Sequence, residues 1–295
     1  MESQECLVLP TDPAEPWLVP SLIRLLAFVD ALPSGATGSL SFGEQGAILV
    51  DQRRICWAVS NRVRESFTDI LCAGGRPSRE QVRGVYRACR ERGQTLTEGL
   101  MADGLVSQAG LRQALAEHHA EALRELAQAL ATPRSFADAR TGYDPRFAFS
   151  TTEMLVLWGS ASAPELAMRA STTLAELRLP EVWSVAFVRT DAAASALPVA
   201  VDPSCNMPLT ELIDVVARVI SLFDVVDTFD PHVRVVRATC CSQTALVAFR
   251  DEGVHYLLFC ASRAAAARVL SALTQRERSS FGARRLDRAR EGLAG

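Results

Sequence analysis

Few residues in this chain have types and spacing that could do chemistry. Cys205, Cys240, Cys241 and Cys260, with His232 and His255, form the one set suited to a metal, since thiolate and imidazole are the preferred ligands of zinc. Their spacing argues otherwise: there is no C-x-x-C or H-x-x-x-H, and adjacent Cys240 and Cys241 in an extended run point to opposite sides. Small buried hydrophobes are the expectation. A thiol nucleophile at Cys260 with His255 as base fails in the same way, because five residues along one strand put the pair on opposite faces, roughly 16 Å apart. His118 and His119, neighbours on a helix, project about 100° apart and cannot share a metal as an i, i+4 pair does. A solvated or boundary face is expected for them. No G-x-S-x-G, Walker A or dinucleotide fingerprint occurs. No catalytic, metal or cofactor site is therefore expected; an enzyme of unrecognised type would need a cleft holding a perturbed cysteine or histidine.

The composition sets the frame for those residues. The chain has 295 residues, 48% hydrophobic and 22% charged, with formal charge −3, enough apolar mass for packed cores and a length that suggests two domains. All 31 basic residues are arginine, the mark of a high-GC bacterial genome, which makes any single arginine weak evidence of function. The tail at 276–295 carries six arginines against three acids and reads as a solvated tail. It has no aromatic stacking platform beside it, so nucleic acid is not expected as a partner. Eight cysteines without a secretory leader point to reduced thiols. No run approaches the about eighteen apolar residues of a membrane span, so a cytoplasmic chain is expected.

The elements follow from periodicity. Leu22, Leu25, Leu26, Val29 and Leu32 share one face of a helix over 21–32. After a turn cluster, 38–42, 46–54 and 55–60 read as three short strands, and 61–77 as a helix ending at Gly74-Gly75. From Ser78 the pattern is helical: Ser78 and Gln81 make a capping box, and Val82, Val85, Tyr86 and Cys89 form the apolar stripe, with Cys89 in the core. Gly104 reads as a helix C′ residue and Ser107 as the next N-cap, of a long helix to about 131. Phe147 and Phe149 are expected to fold one last strand back onto this half, and 131–152 to form the connection.

The order of a helix, G-S-L-S-F, a glycine, I-L-V-D-Q-R-R-I-C-W-A and a second helix resembles the PatA-like N-terminal domain of bacterial regulatory proteins, although Gln52-Arg53 stands where that family has a glycine after its acidic turn residue. Trp57 and Phe42 read as core aromatics. The stretch 93–119 resembles the small helical domain at the N-terminus of type II secretion ATPases. Some members of that family bind cyclic di-GMP; this chain keeps Leu96, Leu111 and Leu115 but has Thr95, Thr97 and His118 where the Arg, Gly and Gln would stand, so no nucleotide is expected. The resemblance implies a non-catalytic interaction module.

The second half alternates more clearly. A helix over 163–178, strands at 182–191 and 197–202, a helix at about 208–226, strands at 232–240, 243–251 and 254–262, and a helix over 263–278 with Ala267, Leu270 and Leu273 inward give the order α-β-β-α-β-β-β-α. This α+β order predicts a five-stranded antiparallel sheet flanked by helices, following a small β-sheet plus helical N-terminal domain. It resembles the roadblock/dynein-light-chain family, whose fold is profilin-like. The domain boundaries read as 1–152, with the helical extension at about 78–131, then 153–278, then the Arg-rich tail 279–295.

That resemblance implies an interaction platform: a homodimer joined through the third strand of the sheet and the central helices, acting with a small Ras-like GTPase. On the 208–226 helix, Leu209, Leu212, Ile213, Val216, Val219, Ile220 and Phe223 cover the sheet. Val215, Leu222 and Val226 extend the apolar arc beyond one buried face, beside Glu211, Asp214 and Asp224. Arg234 and Arg237, three apart in a strand, face opposite sides and suit an edge strand. Glu211, Asp214, Val215, Leu222, Val226, Arg234 and Arg237 thus form the candidate interaction surface of a non-catalytic regulatory or scaffold protein. A small-molecule sensor is the alternative, and would need a polar-lined pocket.

Overall fold

The computed structural model describes residues 18–63, 66–73, 77–138, 143–189, 196–202, 207–230, 234–239 and 245–276, with only the backbone of 237–239. Cys205, His232, Cys240, Cys241, the Gly74-Gly75 helix end and the tail beyond 276 lie outside the described residues. The chain divides into two compact units, Met1–Ser162 with Asp191–Ser195 and Pro208–Ile213, and Ala163–Thr190 with Ala196–Met207 and Asp214–Gly295. Helix and sheet are mixed in both. None of the helices described is long and apolar enough to cross a membrane.

In the first unit, α1 (Leu18–Asp30) buries Leu18, Leu22, Leu25, Leu26 and Val29, each side chain adding about 2 kcal/mol of apolar burial. Three strands follow as the sequence alternation predicts: β1 (Gly38–Ser41), β2 (Gly46–Asp51) and β3 (Arg54–Ser60). The β2–β3 connection is a two-residue turn with Gln52 at φ 50° and Arg53 at φ 63°, the left-handed region that a primed hairpin turn demands and that Gly or Asn fills best. Neighbouring groups hold it: Thr37 Oγ1 donates to Asp51 Oδ1 at 2.8 Å and accepts the Gln52 N–H at 3.3 Å. Phe42 is fully buried, and Trp57 is half-buried.

Helices follow with a cap at every start. α2 (Phe67–Cys72), α3 (Arg79–Arg92) and α4 (Leu96–Ala102) begin with reciprocal capping boxes, Ser66 with Asp69, Ser78 with Gln81 and Thr95 with Glu98. Thr95 therefore serves as a helix cap. Gly104, at φ 65°, ends the α4 turn, and Ser107 caps α5 (Gln108–Gln128). Cys89 is buried as expected, and Gly99 explains how α4 packs there: a Cβ on it would lie 2.2 Å from Cys89 Sγ. Tyr86, assigned from the sequence to the same apolar stripe, is 55% exposed instead. Val82, Val85 and Cys89 suffice to cover α3's inner face, and Tyr86 stands about 60° beyond Cys89 around the helix.

The strand that folds back onto the first sheet is β4 (Ser135–Asp138), paired with β1 from Gly38 opposite Asp138, so the sheet order is β3-β2-β1-β4. Phe147 and Phe149 do not form that strand. Phe147 closes a 3-10 turn (Pro145–Phe147), and Phe149 makes a single bridge to Ile55, exchanging backbone hydrogen bonds of 2.7 and 2.9 Å at the β3 edge. α6 (Thr151–Ser162) completes the unit and packs on α1 and α5, with Thr151 Oγ1 donating to Asp30 Oδ1 at 2.9 Å.

The second unit comprises α7 (Pro164–Glu176), β5 (Val182–Arg189), β6 (Ala196–Val201), α8 (Leu209–Phe229, grouped from Asp214 onward with this unit), β7 (Val235–Thr239), β8 (Ala245–Asp251), β9 (Val254–Cys260) and α9 (263–276). The five strands form one antiparallel sheet, ordered β6-β5-β9-β8-β7. Alternation along β9 sorts the faces: His255 meets Phe223 of α8, and Tyr256 points the other way and stacks on Phe249 at 4.4 Å. On α9 the buried residues are Ala265, Ala266, Val269 and Leu273; Ala267, assigned inward from the sequence, is exposed and Leu270 half-buried, because the helix is rotated by about one residue from that assignment.

Candidate interaction surface

α8 is the element on which the surface is built. Leu212, Val216, Val219, Ile220 and Phe223 are buried, as their spacing predicts, with Ile213 half-buried. Twenty-one residues long, the helix runs three beyond its sequence-read end at 226. That extension changes the outer face. Val215, Arg218, Leu222, Val225 and Phe229 follow at spacings of 3, 4, 3 and 4 residues, the alternation of a helix that packs along another helix. Leu222 is 38% exposed, Val225 56% and Phe229 85%. Val215 and Val226 are half-buried at the shoulder of the strip. From Val215 to Phe229 the strip is about 21 Å long at the helical rise.

The remaining members of the sequence-derived surface are placed as follows. Asp214 is exposed and pairs with Arg218 one turn on, at 2.7 Å. Glu211 is exposed but falls in the Pro208–Ile213 segment grouped with the first unit. Arg234 is exposed beside β7, with its carbonyl accepting the Arg250 N–H at 2.9 Å; the side chain of Arg237 lies outside the described residues. β7 is at the edge of the described sheet, so its outer backbone groups face away from β8. Val225 and Phe229 were missed from the sequence, although the continued 3, 4 spacing from Val215 was there to find them.

Two bidentate ion pairs hold the exposed end of α8 on the sheet. Arg189 of β5 reaches Asp224 at 2.6 Å, and Arg250 of β8 reaches Asp227 at 2.7 Å. Arg250 also lies 5.3 Å from the Phe223 ring centroid. The Arg250 hydrogen bonds hold the Asp227 carboxyl below the ordinary carboxylate range. Beneath them His255 stacks on Phe187 at 5.3 Å, and burial, helped by Arg189 and Arg250, pushes its pKa down to about 4, so the imidazole is neutral. Because Arg250 belongs to the strand beside β7, its pair with Asp227 anchors the C-terminal part of α8 one strand in from the open edge.

The chemistry set aside from the sequence is placed as well. His255 and Cys260, both buried, occupy opposite faces of β9. Among the described residues there is no group of three or more His, Cys, Asp or Glu that could hold a metal ion. His118 and His119 overturn the expectation of a solvated or boundary face: they are 6% and 0% exposed. The reason is the position of α5, which packs against β3, α1, α2 and α6, so residues 100° apart are both covered. His118 lies 4.5 Å from the Trp57 ring centroid, and His119 is edge-on to Trp57 and Phe149 at 5.7 and 5.4 Å. No ring nitrogen of either finds a hydrogen-bond partner among the described residues. Burial, with a smaller contribution from His118, lowers the His119 pKa to about 3; burial lowers that of His118 too, opposed by the nearby Ala58 carbonyl.

Comparison with protein-family models and with curated proteins found no match to this chain.

Proposed function

We propose that this chain is a non-catalytic bacterial regulatory or scaffold protein whose second unit, a roadblock-like domain, self-associates and docks a small Ras-like GTPase or a similar regulatory protein. The observation that carries the reading is the apolar strip Leu222, Val225 and Phe229 on α8, left exposed near an edge strand. An edge strand offers unpaired backbone donors and acceptors, and an apolar helix beside it supplies the hydrophobic area that edge pairing alone lacks. The element order, and a third strand at the sheet edge, are what edge-to-edge pairing of two copies requires. In this reading the chain makes no covalent chemistry, and any effect on GTP hydrolysis acts by repositioning the switch loops of the GTPase.

Sedimentation of the full chain at tens of micromolar tests self-association, with Val225→Glu and Phe229→Glu expected to yield monomer. Capture of purified small GTPases from the same organism, loaded with GDP or a GTP analogue, tests the partner. A monomeric wild-type chain that captures none of them would overturn the proposal.

A further inference from the structure

A second surface, on the first unit, has a different chemistry. α3 turns Val82, Val85 and Cys89 inward. On its outer side, Arg79, Arg83, Arg87 and Arg90 fall with Tyr86 within an arc of about 100°, over about 16 Å of helix. All five residues are exposed, and Tyr86 is the most exposed aromatic ring among the fully described helices after Phe229. Arg79 is paired with Asp69, whereas among the described residues Arg83, Arg87 and Arg90 have no ion-pair partner. The formal charge of the chain is −3, so this arc is a local exception to an acidic protein. Glu80 and Glu91, both exposed, stand about 20° and 40° beyond Arg87 and bound the basic arc on that side.

We infer that the outer face of α3 docks an acidic amphipathic helix of another protein, with carboxylates at three- and four-residue intervals meeting Arg83, Arg87 and Arg90, and an apolar side chain on Tyr86. Arginine and tyrosine are the side chains that most often dominate protein interfaces. The apolar face of α3 is already buried against its own unit, which leaves nothing to insert into a lipid surface. The arc is narrow and short, matching one helix laid along another. A duplex would extend past it onto a net acidic protein and be repelled there. This surface stands independently of self-association through α8.

The test uses the full chain and three probes: a blocked, alanine-rich helical peptide with glutamates at three- and four-residue intervals and a central leucine, a scrambled peptide of the same composition, and a short DNA duplex. The patterned peptide is expected to bind at low salt more tightly than either of the others, and to weaken as salt is added. Arg83→Glu with Arg87→Glu and Arg90→Glu, whose fold is checked by circular dichroism, is expected to lose roughly tenfold in affinity, the sum of a few exposed ion pairs. The same variant should gain affinity for a lysine version of the peptide. Equal binding of the scrambled peptide, unchanged binding by the variant, or tighter binding of the duplex through these arginines would overturn the inference.

Discussion

His119 makes the first unit sensitive to acid, and the size of the effect follows from its burial. The imidazole is 0% exposed, without a hydrogen-bond partner among the described residues, and its pKa is pushed from the ordinary 6.5 to about 3. A histidine depressed in this way is neutral when folded and takes up a proton only on unfolding, so its contribution is complete above pH 6.5 and is lost as pH falls from there towards 3. At about 1.36 kcal/mol per pH unit, moving from neutral pH to about pH 4.5 removes roughly 2.7 kcal/mol from the unfolding free energy. His119→Leu replaces the ring with an apolar side chain that still packs against Trp57 and Phe149. It should remove the His119 share of that slope, leaving the part due to His118, and, by removing an unsatisfied buried polar group, raise stability at neutral pH by about 1 kcal/mol or more. Urea unfolding followed by tryptophan fluorescence measures this in a Trp183→Phe background, which confines the signal to the first unit and silences the similar response of His255 in the second. Parallel stability curves for the two proteins between about pH 4.5 and 8 would refute the buried neutral imidazole.

Other consequences are smaller and local. Gly99→Ala should destabilise the first unit by about 1–3 kcal/mol in the same urea assay, because its Cβ would lie 2.2 Å from Cys89 Sγ and 2.7 Å from Val85 Cγ1, both packed side chains. Gln52→Asn should stabilise it by about 0.5 kcal/mol, since Gln52 holds a left-handed conformation at φ 50° that asparagine tolerates better, and the change leaves the Arg53–Asp30 ion pair at 3.7 Å in place; no gain would show that the Thr37 hydrogen bond already removes the strain.

Much of the second unit was readable because each strand alternates or runs apolar between turn formers, and antiparallel pairing between chain neighbours needs little long-range information. Glu252 and Gly253, with φ of 46° and 87°, form the hairpin turn that the sequence marked. What escaped was information carried by context. β4 pairs with β1 across most of the first unit, and Ser-Phe-Ala-Asp has no strand pattern of its own. α6 is buried on several sides and so lacks a polar stripe that would reveal a helix. The same circumstance hid His118 and His119: a helix surrounded by neighbours has no solvent face to assign them to. At the candidate surface, ending the helix at about 226 left Phe229 off its strip, although α8 runs to Phe229. The arginines of α3 looked like genomic composition until helical phase gathered four of them on one side.

The most direct test of the central claim is sedimentation equilibrium of the full chain beside Phe229→Glu and Val225→Glu, all at tens of micromolar. These side chains are 85% and 56% exposed, so both variants should keep the wild-type circular dichroism. A wild-type dimer with both variants monomeric is the predicted result. A monomeric wild type, or variants that dimerise as tightly as the wild type, would contradict an interface built on α8.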